Sequence, residues 1–304
     1  MPLRIAYIVL AHRLPQQLAR LVRRLSDSDS AFFVHLDRSA DRRHGCDLQR
    51  AAVDSLAGAS QVVLLKRHAC YWGNFHIVEA TLEGIGAILQ SRRPFDRVVL
   101  LSGQDYPIKP LSQIRSYFAH HTHEEFIESF PLTAPNRWSG HRGPYNAIAR
   151  VKRWHLHFRS RTLTLPWKRP FLRGVVPYGG SQWWALSMDC IEYIWGFVQR
   201  EHRFLAYFRN TFIPDELFFH TIISNSAFAE RVSGHDLTFA DWSRPGPPYP
   251  ATLDRTYLQT LCDSPKLFAR KFDMDEDPGL LDLIDANLLR EGSAPLLAIG
   301  AGHR

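Results

Sequence analysis

The stretch Val98-Val-Leu-Leu101, followed at once by Ser102-Gly103-Gln104-Asp105, constrains the fold most. Four unbroken apolar residues with no alternation read as a strand buried on both faces, which calls for helices on both sides of a parallel sheet. A strand that runs out into glycine and then an acid is how an open α/β sheet presents chemistry at its carboxyl ends. The plainer reading of Asp105 is an Asx-type turn in which the carboxylate bonds its own backbone. The flanking sequence favours the α/β reading. Ile5–Ala11 is a second apolar run, and Leu14, Leu18, Leu21, Val22 and Leu25 then recur at helical spacing with Arg20, Arg23 and Arg24 opposite. Ala31–Leu36 is a strand ending at Asp37, which completes a βαβ unit with a right-handed crossover. The first turn lacks a GxGxxG pattern, which counts against a nucleotide-dependent oxidoreductase.

Further along, residues 62–65 read as a strand, 76–89 as a helix, 110–118 as a helix and 125–130 as a strand. Residues 131–170 are rich in Arg, Trp, His and Pro with little periodicity, and read as a long excursion walling one side of a cleft. Gly179-Gly-Ser-Gln-Trp183 reads as a tight turn with aromatic faces beside it. A helix over 189–201 follows, then Pro214-Asp215-Glu216 as the first turn of another helix, where acids suit the dipole. Residues 237–244 read as an edge strand, and 291–304 as a frayed tail. The formal net charge of +7 suits an anionic ligand or an anionic membrane surface, with peripheral attachment there. No basic helix carries base-reading residues, so nucleic acid is not an expected partner. Four widely spaced cysteines with no CxxC exclude a structural zinc site and fit a reducing, cytoplasmic compartment. No signal peptide and no apolar run of about 18 residues is evident, so no spanning segment is expected.

At residues 100–109 the sequence resembles the branching glycosyltransferases, the family of core-2/I-branching β-1,6-N-acetylglucosaminyltransferases and peptide O-xylosyltransferases. The resemblance runs through residues 5–12, Val34–Asp37, Tyr71-Trp-Gly73, Gly179–Trp183, Asp215–His220, Asp241–Arg244 and Phe268–Phe272, in order. The chain reads as a bacterial-type member, closer to the xylosyltransferase branch between Gly179 and Arg244. The resemblance implies a GT-A type α/β fold: a Rossmann-like, mostly parallel central sheet flanked by helices, in one domain over 1–290 with a C-terminal extension. Its nucleotide-binding half would be 1–120 and its acceptor and diphosphate half 121–290. It implies an inverting, metal-independent transferase that moves xylose or N-acetylglucosamine from a UDP-sugar to a glycan or protein hydroxyl, with no cofactor. The alternative is a catalytically silent nucleotide-sugar or glycan-binding protein of the same fold.

The residues bear on these expectations individually. Where a metal-dependent relative would carry Asp-x-Asp, this chain has Gly103-Gln-Asp105, one carboxylate where a metal wants more oxygens. Asp273-Met-Asp275 has the spelling but lies outside that strand exit. Without a metal, fixed cations must stabilise the leaving diphosphate; the resemblance assigns this to Lys271, with Arg244 or Arg255 as the second. His12 and Asp37 are placed with the nucleotide, Asp37 on the uridine. Gly180, Ser181, Gln182 and Trp183 are placed where donor and acceptor are oriented. Xylosyltransferase-like members carry an Asp after Gly-Gly-Ser as the base; here Gln182, which takes no proton, stands there. Core-2-like members carry a Glu upstream of that turn; residues 172–178 hold no acid. An acceptor hydroxyl still needs a base, and the expectation falls on Glu216, with Asp105 and Asp215 as alternatives.

Overall fold

The computed structural model describes residues 3–45, 47–59, 61–159, 161–243 and 249–290. Arg244 and the stretch 291–304, both singled out above, lie outside the described residues. The first half runs β1 (Ile5–Ala11), α1 (Pro15–Leu25), β2 (Ser30–Leu36), α2 (Ala40–His44), α3 (Leu48–Ser55), β3 (Val62–Leu64), α4 (His76–Gln90), β4 (Arg97–Ser102), β5 (Tyr106–Pro107) and α5 (Leu111–His120). Then come β6 (Phe126–Ile127), β7 (Phe130–Pro131), α6 (Ala149–Lys152), β8 (Arg153–Phe158), β9 (Arg161–Lys168), β10 (Tyr178–Gly179), β11 (Trp184–Ser187), α7 (Met188–Arg200) and α8 (His202–Phe208). The chain continues through α9 (Phe218–Ser224), β12 (Thr238–Ala240), α10 (Leu258–Asp263), β13 (Phe268–Arg270) and α11 (Pro278–Asn287).

The main sheet has the order β3-β2-β1-β4-β11-β6. Pairings among β3, β2, β1 and β4 are parallel, while β11 runs antiparallel to both β4 and β6. The expected single, mostly parallel sheet is therefore corrected. The sheet is mixed, and three small sheets accompany it: β10-β7, β12-β13-β5 and β8-β9. The cause lies after β4. The next strands, β5, β6 and β7, are two residues each and pair antiparallel with β13, β11 and β10, which return from later in the chain. The β1 and β4 runs are buried on both faces, between a core layer with α1, α3, α5 and α11 and another with α4, α7 and α9.

The apolar stripe of α1 is buried, as its spacing requires, and its polar face docks α11: Arg20 Nη2 lies 2.6 Å from both Asp282 and Asp285. Among the described residues no helix is long and apolar enough to cross a membrane. The stretch 131–170 is more ordered than its lack of periodicity suggests, because β8 and β9 form an antiparallel hairpin within it.

Candidate functional site

Two adjoining basins, of about 400 and about 340 Å³, share a wall made of Trp72, Ile77, Gln182, Trp183, Tyr249, Arg270 and Lys271. The smaller basin sits at the carboxyl ends of β1, β2 and β4, where Ala11, His12, Asp37, Ser102 and Gln104 line it. Asp37 is buried, and its oxygens are filled from several directions. Oδ1 accepts the Ser39 and Cys70 amides at 2.8 and 2.9 Å, and Oδ2 accepts the Ser39 hydroxyl and the Arg43 guanidinium. His12 is lowered to about 3 by burial and by the neighbouring Lys271, Arg43 and Arg13 charges, so it faces this basin as a neutral imidazole.

Asp105 behaves differently from its expected role. It is fully buried behind the basins and lines neither. One oxygen accepts the amide of Ser102, three residues upstream rather than two residues on as in an Asx turn, and the other lies 3.0 Å from Arg270 Nε. Burial raises its carboxyl against the pull of Arg270. The structure places it apart from both basins, as the anchor of Arg270. The Arg270 guanidinium in turn lies 4.5 Å from the Trp183 ring centre.

The C-terminal cations reach this place through the β12-β13-β5 sheet. Pairing of β13 with β5 brings Phe268 opposite Pro107 and Ala269 opposite Tyr106. Beyond it the Phe272 amide donates to the Gln104 carbonyl at 2.9 Å, and Gln17 and Gln104 side chains both donate back to the Phe272 carbonyl. A segment some 165 residues away in sequence is thereby clamped onto the exit of β4. Lys271 lines both basins; burial and then Arg270 and Arg13 lower its ammonium. Arg255, by contrast, is exposed, lines neither basin and is held by Asp277 at 2.9 Å, so the structure does not bring it together with Lys271. Asp273 and Asp275 are both taken by Arg13, at 2.9 and 3.0 Å. Among the described residues no group of three or more His, Cys, Asp or Glu could hold a metal ion.

The larger basin carries the acids. Pro214–Glu216 is a single 3-10 turn entered through Ile213, a β-branched residue in the left-handed region at φ 51°, which is a strained conformation for that side chain. The turn is tied down on two sides: the Ile213 amide donates to the Gly73 carbonyl and the Gly180 amide to the Glu216 carbonyl. Gly180 is required here, because a Cβ would stand 1.9 Å from the Glu128 carbonyl oxygen. Ser181 continues the same clamp, its amide donating to Glu128 Oε2 at 2.7 Å and its carbonyl lying 2.8 Å from His220 Nε2. Of the turn's residues, then, Gly180 sits behind the wall, while Ser181, Gln182 and Trp183 face the cleft.

Asp215 and Glu216 both line the larger basin, and the turn gives them different surroundings. Glu216 Oε2 is 2.6 Å from Arg150 Nη1, and that guanidinium is buried with its centre 3.8 Å above the Trp138 ring. Pro214–Glu216 is expected from sequence to be the first turn of a helix, yet α9 begins only at Phe218 and receives no side-chain cap. Instead Asp215 is buried with Oδ1 lacking any hydrogen-bond partner, and burial, reinforced by the Glu216 charge, pushes its carboxyl up to about 7.

Four residues emerge here that the sequence reading had not placed in a site. Glu128 lines the larger basin, half-buried, its carboxyl raised by burial and held by Arg137 at 2.8 Å. Arg150 comes from the irregular excursion and shows no local pattern. Arg270 is the neighbour of Lys271 in a motif already noted, and the pair of cations beside aromatics was its signal. Trp72, from Tyr71-Trp-Gly73, stands between the basins with its edge toward Tyr249 at 5.9 Å and Phe212 at 5.6 Å.

Xylosyltransferase 1 of Rattus norvegicus is 25% identical over 80% of this chain and 28% of its own length. Xylosyltransferase 2 of Homo sapiens is 25% identical over 97% of this chain and 34% of its own. The β-glucuronosyltransferase GlcAT14B of Arabidopsis thaliana is 28% identical over 90% and 63%. The chain thus spans about a third of the xylosyltransferases and under two thirds of the plant enzyme. These relatives are eukaryotic and lend the bacterial qualifier no support. Among solved structures, the inositol-1-phosphate CTP transferase from T. maritima is similar at 11% identity with a TM-score of 0.42, over 97% of this chain and 99% of that one, a likeness too slight to bear on function. The family model for the Core-2/I-Branching enzyme matches residues 5–261, and the chain belongs to that glycosyltransferase family.

Proposed function

We propose that this chain is an inverting glycosyltransferase that uses a UDP-sugar without a divalent metal and delivers the sugar to a hydroxyl of a glycan or protein. The observation that carries the reading is the shared wall: two adjacent cations, Arg270 and Lys271, stand between a basin at the strand ends and a basin holding a pair of acids. The nucleotide would occupy the smaller basin, with Asp37 and its amide cluster at the far end and the diphosphate against Arg270 and Lys271. The acceptor would enter the larger basin. Its hydroxyl oxygen forms the bond to the anomeric carbon as the bond to the β-phosphate oxygen breaks, UDP leaves with its added charge on the two cations, and a carboxylate takes the hydroxyl proton.

Asp215 is assigned as that base in place of Glu216. Its proton affinity sits near neutrality, where a base both captures and releases protons well, it lines the larger basin, and its buried Oδ1 lacks a hydrogen-bond partner. Glu216, oriented by Arg150, would hold the acceptor or the sugar by hydrogen bonding, and Gln182 would do the same from the opposite wall. Arg137 and Lys266 on the acceptor side are already matched by Glu128 and Asp236, both at close range. That balance favours an uncharged donor sugar, xylose or N-acetylglucosamine, over the glucuronate named for the plant relatives.

The test is UDP release from UDP-xylose, UDP-N-acetylglucosamine and UDP-glucuronate, with and without oligosaccharide or peptide acceptors, in excess EDTA. Acceptor-stimulated release from a neutral donor in EDTA is expected. Strict dependence on added Mn²⁺ or Mg²⁺ would remove the metal-free reading, and tight UDP binding with no release from any donor would favour a silent binding protein.

A further inference from the structure

We propose that the β8-β9 hairpin is a docking surface for an anionic lipid bilayer. Residues 129–188 hold ten Lys and Arg and not one Asp or Glu; Arg137 and Arg150 are paired with Glu128 and Glu216, and the other eight still exceed the chain's whole excess of +7, so positive charge is concentrated here. The register sorts the hairpin's two faces. His155 opposes Thr164 and His157 opposes Thr162, and both histidines turn inward, reaching the Ala149 and Thr211 carbonyls at 3.2 and 3.1 Å. The other face, which a soluble hairpin makes polar, carries Trp154, Leu156, Phe158 and Leu163 instead. Phe158 is 62% exposed, Leu163 54% and nearby Trp167 66%. Arg159, Arg161 and Lys168 are exposed around them, and no acidic residue lies between 129 and 188.

Aromatic and aliphatic tips rimmed by cations are the chemistry of a membrane interface: the apolar groups enter the acyl boundary while the cations meet anionic headgroups. Leucine and phenylalanine side chains gain nothing from a purely ionic partner such as an acidic polysaccharide, which is why a bilayer is favoured. The hairpin is also fixed to the cleft. Asn74 Nδ2 donates to the Arg159 carbonyl at 3.0 Å, and the Thr211 carbonyl that His157 meets lies three residues before Pro214. A docked hairpin would therefore hold the acid-lined basin close to the bilayer, where a membrane-borne acceptor could reach it; only this last consequence rests on the proposed transferase reading.

The experiment is co-sedimentation with vesicles of phosphatidylcholine alone and of phosphatidylcholine mixed with phosphatidylglycerol. Binding to the mixed vesicles, weakened by salt, is expected. Arg159→Gln with Arg161→Gln should lower partitioning by roughly 30-fold, from about 1 kcal/mol per cation near the surface. Phe158→Ser with Leu163→Ser should lower it by roughly tenfold or more. Thermal unfolding should be unchanged in both, since these side chains face away from the body. Failure to bind the mixed vesicles would overturn the proposal, as would unchanged binding by both folded variants. So would binding to an acidic polysaccharide without vesicle binding, or a dimer dispersed by the apolar variant with no vesicle binding. None of these outcomes depends on turnover.

Discussion

The two basins share a wall but are built on opposite terms. In the smaller basin, proposed above for the nucleotide, the acid is fully matched: Asp37 is surrounded by two amides, a hydroxyl and a guanidinium, and His12 is held neutral. In the acceptor basin the acids are matched unequally: Glu216 has Arg150, Glu128 has Arg137 and the Ser181 amide, and Asp215 Oδ1 has no partner. A rigid, satisfied basin suits recognition of a ligand that must simply be held. A basin containing one buried, underserved carboxyl suits chemistry, because the missing partner is what an acceptor hydroxyl supplies.

The largest expected effect breaks the pair of acids apart. Asp215→Asn should cut turnover by roughly 10²–10⁴-fold with UDP affinity hardly moved. The same change should stabilise the fold above neutral pH. Asp215 binds its proton more tightly folded, near 7, than unfolded, near 3.8, so the native state loses stability as pH rises between those values and asparagine removes that loss. Glu216→Gln, which keeps its place beside Arg150, should cost less turnover than Asp215→Asn. Steady-state kinetics and thermal unfolding at pH 5 and pH 8 check these outcomes together, and the reverse order of losses would return the base to Glu216.

The shared wall comes next. Lys271→Ala removes one of two cations from the leaving diphosphate and should lower turnover by about 10²–10³-fold while weakening UDP binding, as removing a preorganised charge donor does elsewhere. Titration calorimetry with UDP beside kinetics would separate the two effects. Smallest of all is Arg255→Ala: its side chain faces solvent and Asp277, so neither UDP affinity nor turnover should change. A measurable loss of UDP binding would bring Arg255 back to the diphosphate.

The same contrast decides what was legible in the sequence. The nucleotide basin is made by strand ends, and strand ends announce themselves: the apolar runs 5–11, 31–36 and 98–101 stop at His12, Asp37 and Ser102, and each of those residues lines the basin. The acceptor basin is lined by residues 128, 137, 215, 216 and 236, with Arg150 held against Glu216, and none shares a periodic segment with another except where the Pro214 turn carries two acids. Arg150 could not have been paired with Glu216 from spacing, since 66 residues separate them. Asp105 misled because a buried acid at a strand exit has the same spelling whether it faces a cleft or an arginine. The mixed sheet was hidden for a related reason: β6 and β11 are two and four residues long, too short to show alternation.

The most direct test of the central claim, that the acceptor basin works through an underserved carboxyl, is the pH dependence of turnover at saturating donor and acceptor. A base must be deprotonated to act, so turnover should rise with pH through a single apparent value near 7, and that inflection should vanish in the residual activity of Asp215→Asn. A flat profile from pH 5 to 8 in the native chain, or an inflection near 7 that persists in Asp215→Asn, would contradict it.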